Sequence, residues 1–527
     1  MANCGEALVS LLEAYHVDTV FGIPGVHTVE LYRGLARSDI RHISARHEQG
    51  AGFMADGYAR VSGRPGVCFI ITGPGITNIA TAMAQAYSDS IPMLVISSVN
   101  KSGELGLGAG QLHELPYQRN LTAQFTEFSH TLLDGAELPE VLARAFAVFS
   151  SRRPAPVHVE IPIDVIESEI DISTDTWPTA TRPGPDSASI GEAAQLLRTA
   201  DKPLLILGGG AVDAGEAALK LVNRLEAPVI NTVAAKGVIA ASHPLCLDDT
   251  LAFKPVRELI NDADVVLAVA TEFSETDRYG DERPLRMKGK LIRIDIDPEQ
   301  LVRNHKPWLS ILSDAGTALA AISARLDAGS GSSGTARVKQ VKKDLQQYQN
   351  HRLFLQKLRQ ILPDDCIIAG DSTQPVYAAN SFFPVEQPRC WITSVTGYGT
   401  LGYALPAAIG AKLALPERPV ICIVGDGGFL FTISELAVAV ELGLTIPIVL
   451  WNNQGYGEIR NYMLERQIPL VGVDLYTPDF IALAEGFGCV GRKASSMDHF
   501  QQLMNDALAH PGPSIIEILE DSEFLNE

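Results

Sequence analysis

Short apolar runs alternate with stretches of helical periodicity along the whole chain. Four apolar runs in its first part predict strands, at 19–21, 67–71, 93–99 and 156–162. Three stretches with apolar residues at helical spacing predict helices, at 3–15, 28–35 and 77–87. The first helix starts with Asn3 and has Glu6 three residues later, the arrangement of a capping box. Strands that alternate with helices predict a parallel sheet covered on both faces.

The same alternation occurs twice more. Apolar runs in the middle of the chain predict strands at 203–210, 228–230, 263–269 and 291–297. The last part predicts a polar helix at 339–362 and strands at 366–368, 420–424, 446–451 and 514–518. Segments with the composition of linkers separate the three parts, at 176–189 and 328–334. The pattern therefore predicts an α/β protein of three doubly wound parallel-sheet domains, at 1–175, 188–327 and 340–527.

Composition narrows the class of protein. The 527 residues are too many for one hydrophobic core, and 46% apolar and 20% charged residues are ordinary for a globular protein. A formal net charge of −20 argues against nucleic-acid binding. The N-terminus lacks the features of a signal peptide, no apolar run is long enough for a membrane span, and the seven cysteines contain no CxxC pair. We therefore expect a cytoplasmic protein with reduced thiols and no nucleic-acid or membrane partner.

Candidate chemistry is concentrated in a glycine-rich segment of the last part. The segment combines glycines with oxygen-ligand residues around one predicted strand: Gly425, Asp426, Gly427, Gly428, the run 446–451, Asn453 and Gly455. Glycines let a backbone approach phosphate oxygens closely. The Asp426 carboxylate, the Asn453 amide oxygen and the Gly455 carbonyl are hard oxygen ligands of the kind that Mg²⁺ requires. The segment therefore predicts a diphosphate site with a magnesium ion.

This arrangement resembles the thiamine diphosphate signature, and the resemblance covers nearly the whole chain. Further segments carry it: FGIPG at 21–25, RHE at 46–48, TGPGITN at 72–78, RPAPVHVEIP at 153–162 and GYGTLGYALPAA at 397–408. The chain resembles the acetolactate synthase and 2-oxo acid decarboxylase branch, and within it the 5-guanidino-2-oxopentanoate (2-ketoarginine) decarboxylases. The resemblance implies pyrimidine-binding, central and diphosphate-binding domains, with thiamine diphosphate and Mg²⁺ as cofactors. It also implies a homodimer at minimum, with a dimer of dimers favoured.

The resemblance also implies roles for single residues. Glu48 would hydrogen-bond the aminopyrimidine and promote the imino tautomer that deprotonates C2 of the cofactor, or else be a helix-start carboxylate. Leu401 would be the apolar wedge that bends the cofactor, or else a core leucine, and the Gly399 carbonyl would accept a hydrogen bond from the pyrimidine. The implied metal ligands are Asp426, Asn453 and Gly455. The implied cofactor-binding set is Glu48, Gly73, Asn78, Gly399, Leu401, Gly425, Asp426, Gly427, Gly428, Asn453, Gly455 and Tyr456.

Three departures from the relatives concern the substrate. His113 stands where acetolactate synthases have glutamine, and His27 where benzaldehyde lyase-like relatives have an active-site histidine. Each could transfer a proton during catalysis or be a structural histidine. Glu458 stands where relatives often have an apolar residue, and it could pair with a guanidinium group or be a solvated glutamate near Arg460. The predicted substrate residues are Ile23, Pro24, His27, His113, Glu458, Ile459 and Tyr462.

The middle domain departs from the FAD-binding relatives. Segments 245–250 and 271–277 are acidic where acetolactate synthases have glycine, histidine and arginine, so FAD is not expected. We predict decarboxylation of a long basic 2-oxo acid such as 5-guanidino-2-oxopentanoate, followed by protonation or by ligation to an aldehyde or ketone. The alternatives are an acetolactate synthase catalytic subunit, a flavin-dependent pyruvate oxidase and an inactive regulatory relative. Intact Glu48, Asp426 and Asn453 argue against an inactive relative.

Overall fold

Three six-stranded parallel sheets follow one another along the chain, which confirms the predicted fold class. The computed structural model describes residues 2–278, 285–327 and 334–525. Each sheet lies within one of the three predicted domain ranges, whose boundaries stay a prediction. None of the helices in these described parts is long and apolar enough to cross a membrane.

The first unit contains the predicted strands and helices with small shifts at their ends. Its strands are β1 (Ala2–Asn3), β2 (Thr19–Gly22), β3 (Arg41–Ser44), β4 (Gly66–Ile70), β5 (Met93–Val99), β6 (Phe128–Thr131), β7 (Pro156–Pro162) and β8 (Glu169–Ile170). Its helices are α1 (Cys4–Ala14), α2 (Val29–Leu35), α3 (Glu48–Ser62), α4 (Pro74–Ser88), α5 (Gln118–Thr122), α6 (Leu138–Ser151) and α7 (Ile163–Ile166). The sheet has the order β3-β2-β4-β5-β7-β6, and β1 pairs with β8 in a separate antiparallel ribbon.

The predicted capping box at the start of α1 is confirmed. Glu6 N donates to Asn3 Oδ1 at 2.8 Å, and Asn3 N donates to Glu6 Oε2 at 3.1 Å. Two backbone N–H groups that the helix leaves free are thereby satisfied. The helix consequently begins at Cys4, directly after the cap.

The middle unit has a different strand order. Its strands are β9 (Pro203–Leu207), β10 (Val229–Asn231), β11 (Cys246–Leu247), β12 (Val265–Val269), β13 (Lys290–Asp295) and β14 (Leu309–Leu312). Its helices are α8 (Ser187–Arg198), α9 (Gly215–Leu225), α10 (Lys254–Asp262) and α11 (Ala315–Ser323). The order β11-β10-β9-β12-β13-β14 is that of dinucleotide-binding folds. The linker predicted at 176–189 ends earlier than expected, because Asp186 caps α8 by accepting from Ser189 N at 2.8 Å.

The third unit repeats the topology of the first. Its strands are β15 (Ile367–Gly370), β16 (Trp391–Thr393), β17 (Val420–Gly425), β18 (Ile446–Asn452), β19 (Val490–Lys493) and β20 (Pro513–Leu519). Its helices are α12 (Gly334–Leu345), α13 (Arg352–Ile361), α14 (Gln374–Phe382), α15 (Ala404–Ala414), α16 (Asp426–Thr432), α17 (Leu436–Glu441), α18 (Gly457–Glu465), α19 (Phe480–Phe487) and α20 (Met497–Ala509). The sheet order β16-β15-β17-β18-β20-β19 matches the first sheet strand for strand.

The prediction of one helix at 339–362 is wrong. A 3₁₀ turn at Gln346–Tyr348 ends the first helix, and His351 before α13 has a left-handed backbone with φ 52°. A left-handed residue cannot continue a right-handed helix, so the chain changes direction there. Of the linker predicted at 328–334, residues 328–333 lie outside the described residues, and Gly334 already belongs to α12.

Helices α3 and α15 form a close contact between the first and third units. A Cβ on Gly57 would lie 2.2 Å from the Ala407 carbonyl oxygen, and one on Gly410 would lie 1.9 Å from the Met54 carbonyl oxygen. Only glycine allows two helix backbones to approach so closely. A single hydrophobic core, which includes Phe53 of α3, therefore extends through both units.

Candidate active site

The predicted binding segments follow strands at the point where the strand order of the first and third sheets reverses. In the first sheet the reversal lies between β2 and β4, whose carboxyl ends lead into 22–27 and 72–75. In the third sheet it lies between β15 and β17, which lead into 371–374 and 425–428. Ligands of open parallel sheets bind in the crevice at such a switch point. Topology therefore places these segments where a ligand site is expected.

Glu48 is the first residue of α3. His47 caps the helix, with Nδ1 accepting from Gln49 N at 3.1 Å. Glu48 is only 9% exposed, and its Oε2 accepts a hydrogen bond from Asn78 Nδ2 at 2.9 Å. Its carboxyl group lies at the positive end of the helix macrodipole. The structure thus brings two predicted cofactor residues, Glu48 and Asn78, into direct contact.

A second carboxylate, which sequence reasoning missed, holds the backbone that precedes Glu48. Glu435 is fully buried, Arg46 N donates to both of its oxygens at 3.1 Å, and His47 N donates to Oε1 at 2.9 Å. Burial raises the pKa of Glu435 from 4.5 to about 7. The two N–H groups and the Arg46 guanidinium oppose this rise, whereas the Glu48 carboxylate adds to it. The contact joins residues far apart in the chain, so no local sequence signal indicates it.

The two predicted histidines lie beside each other, with ring centroids 5.3 Å apart. Nδ1 of each ring is buried and has no hydrogen-bond partner within the described residues. Burial, and then the charge of His113, lowers the pKa of His27 below its ordinary value. A Cβ on Gly73 would lie 2.4 Å from the His113 carbonyl oxygen, so only glycine fits there. In the turn after β2, Ile23 is half-buried and Pro24 is exposed.

A buried glutamine that the sequence did not single out supports the loop after β4. Gln118 Oε1 accepts hydrogen bonds from Thr72 Oγ1 at 2.8 Å and from Gly73 N at 3.0 Å. Its Nε2 donates to Glu160 Oε2 at 3.0 Å, and burial raises the pKa of Glu160. The loop after β4, which contacts His113, is therefore held in place by a polar network around Gln118. Its partners come from separate strands and helices, which is why periodicity alone does not reveal it.

The three predicted metal ligands lie together in the third unit. Asp426 is 3% exposed, and its Oδ1 accepts from Asn453 N at 3.4 Å. Burial raises the pKa of Asp426, although neighbouring N–H groups, including that of Asn453, oppose the rise. Asn453 Oδ1 is buried without a hydrogen-bond partner in the described chain. Gly455 (φ 150°) continues this turn, and a Cβ there would lie 2.1 Å from the Val473 carbonyl oxygen. A buried carboxylate beside an orphaned amide oxygen fits a hard cation such as Mg²⁺.

The glycines that follow β17 are packed against two side chains of the site. A Cβ on Gly427 would lie 2.9 Å from the ring of Tyr456, and one on Gly428 would lie 3.4 Å from the Asp371 carboxyl. Sequence reasoning missed Asp371, which is fully buried and accepts from Ala404 N at 3.3 Å. Burial raises the pKa of Asp371 to about 6. A signal existed, because Asp371 lies three residues after the strand predicted at 366–368, at the carboxyl edge of the sheet.

Gly399 and Leu401 lie in the loop between β16 and α15. Gly399 has φ 74°, and no described atom lies within 4 Å of where its Cβ would be. Its N–H donates to the Ser394 carbonyl oxygen at 3.2 Å. Leu401 is half-buried, whereas Tyr403 and the α15 residues 404–411 are buried. The partial exposure of Leu401 favours a position facing solvent or a ligand over an ordinary core position.

The predicted substrate residues of the third unit lie on α18. Glu458 is half-buried, and its Oε2 accepts from Gln374 Nε2 at 2.6 Å. Arg460 pairs with Asp474 at 2.8 Å. Ile459 and Tyr462 are exposed on the same helix, by 51% and 49% of their surfaces.

The acidic segments of the middle unit are engaged by the chain's own cations. Lys236 Nζ lies 3.0 Å from Asp248 in 245–250, with the lysine side chain fully buried. Arg153 pairs with Glu272, which lies in 271–277. Both segments therefore take part in contacts within the protein.

The fold and the two groups of site residues, one in the first unit and one in the third, define the class of the protein. Sequence models of the thiamine pyrophosphate enzyme N-terminal, central and C-terminal domains match residues 2–123, 190–322 and 371–518. The chain belongs to the thiamine pyrophosphate enzyme family, as the resemblance implied.

Individual relatives refine the comparison. The chain is 47% identical to the probable 2-ketoarginine decarboxylase AruI of Pseudomonas aeruginosa, over 98% of this chain and 94% of that protein. It is 32% identical to the acetolactate synthase isozyme 1 large subunit of Escherichia coli, with the same coverage of 98% and 94%. An acetolactate synthase of Mycobacterium bovis is 33% identical, over 98% of this chain and 87% of that protein.

Proposed function

We propose that this protein is a thiamine diphosphate- and Mg²⁺-dependent enzyme that decarboxylates a 2-oxo acid without oxidation. The observation that carries the proposal is the buried Asp426 carboxyl beside Asn453, whose buried amide oxygen has no partner among the described residues. A divalent cation satisfies both groups and neutralises the charge of a diphosphate at the same time. The contact between Glu48 and Asn78 supplies the second half of the site.

Bound thiamine diphosphate supplies an electron sink for the electron pair left when CO₂ departs. Asp426, Asn453 and the Gly455 carbonyl hold the magnesium ion, and the glycines on either side of Asp426 leave room for the diphosphate. Glu48 holds and exchanges a proton at its carboxylate oxygens, which makes it the acid–base group toward the pyrimidine ring. Asn78 fixes the orientation of that carboxylate by its hydrogen bond.

The remaining residues shape the cavity and move the last proton. Leu401 would support thiamine diphosphate with its apolar side chain, and the Gly399 carbonyl would accept a hydrogen bond from it. His27 and His113 transfer the proton to the carbon that has lost CO₂, since their buried Nδ1 atoms have no other partner in the described parts of the chain. Ligation of that carbon to an aldehyde or ketone is the alternative end of the same reaction.

The active unit we propose is a homodimer at minimum, assembled as a dimer of dimers in the cytoplasm, with domains at 1–175, 188–327 and 340–527. Within the described chain, no hydrogen bond or ion pair joins Glu48 or His27 to Asp426 or Asn453. This separation supports a site in which one chain supplies Glu48 and its partner supplies the diphosphate and metal ligands.

The substrate we favour is a long basic 2-oxo acid such as 5-guanidino-2-oxopentanoate. Gln374 holds one oxygen of Glu458 and leaves the other free to pair with a guanidinium group. The name of the Pseudomonas aeruginosa relative, which is nearly half identical over its length, supports the same substrate.

Release of CO₂ from a panel of 2-oxo acids, with and without an acceptor aldehyde, tests both the proposed decarboxylation and the proposed preference for a basic substrate. Glu458→Gln should lower kcat/KM for 5-guanidino-2-oxopentanoate by about tenfold to a hundredfold, the value of a desolvated charge-assisted pair. The same change should leave 2-oxohexanoate, a neutral substrate, almost unaffected. Glu465→Gln, an exposed glutamate on the same helix, is the matched control. Equal losses on both substrates would show that Glu458 does not recognise charge.

An acetolactate synthase catalytic subunit is the second candidate, because such enzymes are about one-third identical over nearly the whole chain. Efficient condensation of two pyruvates would decide for it. We expect a colourless protein, since the acidic middle segments do not suit FAD. A tightly bound flavin would contradict this expectation.

A further inference from the structure

All three units contribute hydrogen bonds to residues 394–402, the loop that contains Gly399 and Leu401. From the middle unit, Thr276 Oγ1 donates to the Thr396 carbonyl oxygen at 2.9 Å. Inside the loop, Ser394 Oγ donates to the Thr400 carbonyl oxygen at 2.8 Å. The strongest set of contacts comes from helix α4 of the first unit.

Gln85 of α4 is fully buried and binds the loop through both ends of its amide group. Its Oε1 accepts from Thr400 N at 3.1 Å, and its Nε2 donates to the Ser394 carbonyl oxygen at 3.3 Å. Thr400 is the residue between Gly399 and Leu401. A single side chain of the first unit therefore fixes the backbone at the centre of the loop.

Asp89 lies four residues after Gln85, directly after the end of α4, and binds the beginning of the loop. Its Oδ2 accepts from Thr396 Oγ1 at 2.6 Å, from Gln85 Nε2 at 2.7 Å and from Arg60 Nη2 at 2.5 Å. Burial raises the pKa of Asp89, while the Arg60 guanidinium opposes that rise.

Arg60 connects this contact to the helix that begins with Glu48. Its side chain is 9% exposed and also binds Asp56, one turn earlier on α3, at 2.6 Å. Tyr403, at the start of α15, donates its hydroxyl to the same Asp56 at 2.6 Å. Removing one member of such a buried ionic network leaves the others unsatisfied, so the network holds its parts in one geometry.

We propose that Gln85 and Asp89 are positioning residues that set the backbone of the 394–402 loop and thereby aim the Gly399 carbonyl and Leu401 at the cofactor. This role rests on the proposed function, because it presupposes that the loop faces thiamine diphosphate. Gly399 has a left-handed backbone, and no described atom lies within 4 Å of where its Cβ would be. The alternative is a purely structural interface between the first and third units.

Two variants remove loop contacts while nearly preserving shape. Gln85→Met keeps a side chain of similar volume but removes the oxygen that accepts a hydrogen bond from Thr400 N. Thr396→Val removes the hydroxyl that donates a hydrogen bond to Asp89. The matched control is Asp248→Asn, which breaks the buried Lys236–Asp248 pair in the middle unit without touching the loop.

The first measurement is amide hydrogen exchange of the peptide covering 394–402 in the full-length protein without cofactor. We expect exchange to be about tenfold faster in Gln85→Met and Thr396→Val, and unchanged in Asp248→Asn. Unchanged exchange in both loop variants overturns the proposal, and Thr396→Val keeps the test open if Gln85→Met does not fold. Because no cofactor is present, this result is independent of whether the proposed reaction occurs.

The second measurement separates positioning from structural support in the loaded enzyme. In both loop variants we expect kcat to fall about tenfold with little change in KM, and exchange of the cofactor C2 proton to slow in parallel. A loosened loop with wild-type kcat and C2 exchange overturns the proposal. Absence of any decarboxylation by the wild-type protein would instead refute the proposed function.

Discussion

Replacing Glu435 with glutamine should make the stability of the protein less sensitive to pH. The carboxylate is fully buried and holds the two N–H groups before Glu48, and burial raises its pKa from 4.5 to about 7. The folded protein therefore binds this proton more tightly than the unfolded chain. Stability from this group is fully present below pH 4.5 and is lost as pH rises through 7.

The size of the effect follows from these pKa values. The rise in the pKa of Glu435 from 4.5 to about 7 corresponds to a change of about 3 kcal/mol in the free energy of unfolding. About 2–3 kcal/mol of this change falls between pH 5 and pH 8. A glutamine is neutral throughout this range. We therefore expect Glu435→Gln to gain stability relative to the wild type by about 2–3 kcal/mol between pH 5 and pH 8.

Urea unfolding of the two proteins at several pH values between 5 and 8 measures this difference directly. Glu441→Gln is the matched control, because its exposed carboxylate pairs with the same Arg46. The control should differ from the wild type by a constant amount. A constant difference for Glu435→Gln as well, or a gain toward low pH, would refute the reasoning from burial.

Three further predictions concern the proposed cofactor site. Asp426→Ala should weaken thiamine diphosphate binding in the presence of Mg²⁺ by more than about tenfold, measured by calorimetry, and unchanged affinity would contradict the metal assignment. Glu48→Gln should slow deuterium exchange at the cofactor C2 by about a hundredfold or more with a much smaller change in affinity; exchange at the wild-type rate would make Glu48 structural. Mixed dimers of these two inactive variants should recover activity at one of two sites, whereas a fully active monomer in light scattering would exclude a shared site.

The sequence predicted the four inner strands of each sheet, because these strands are buried on both faces and appear as continuous apolar runs. It did not predict the edge strands, which are β3, β6, β11, β14, β16 and β19. It failed at 339–362, where helical periodicity continues through a left-handed residue at His351. Predicted residues with short-range constraints, such as Asn3 and Glu6, form the predicted contact.

The supporting residues of the site were harder to predict. Glu435, Gln118 and Gln85 bind segments that are distant in the chain, and each looks like an ordinary polar residue on a helix or turn. Their importance arises from burial and from unsatisfied backbone groups, which depend on the tertiary structure. Asp371 was easier to predict than these residues, because it lies three residues after the strand predicted at 366–368, at the edge of the sheet where ligands bind.

The glycine contact between α3 and α15 has a consequence for the catalytic centres of the proposed dimer. Each chain would give its Glu48 to one catalytic centre and its Gly399, Leu401 and Asp426 to the other. A side chain at Gly57 would push the two helices apart and so displace both contributions of one chain. A mixed dimer of this variant and the wild-type chain would then lose both of its centres. Loss of a single ligand would damage only one centre of a mixed dimer.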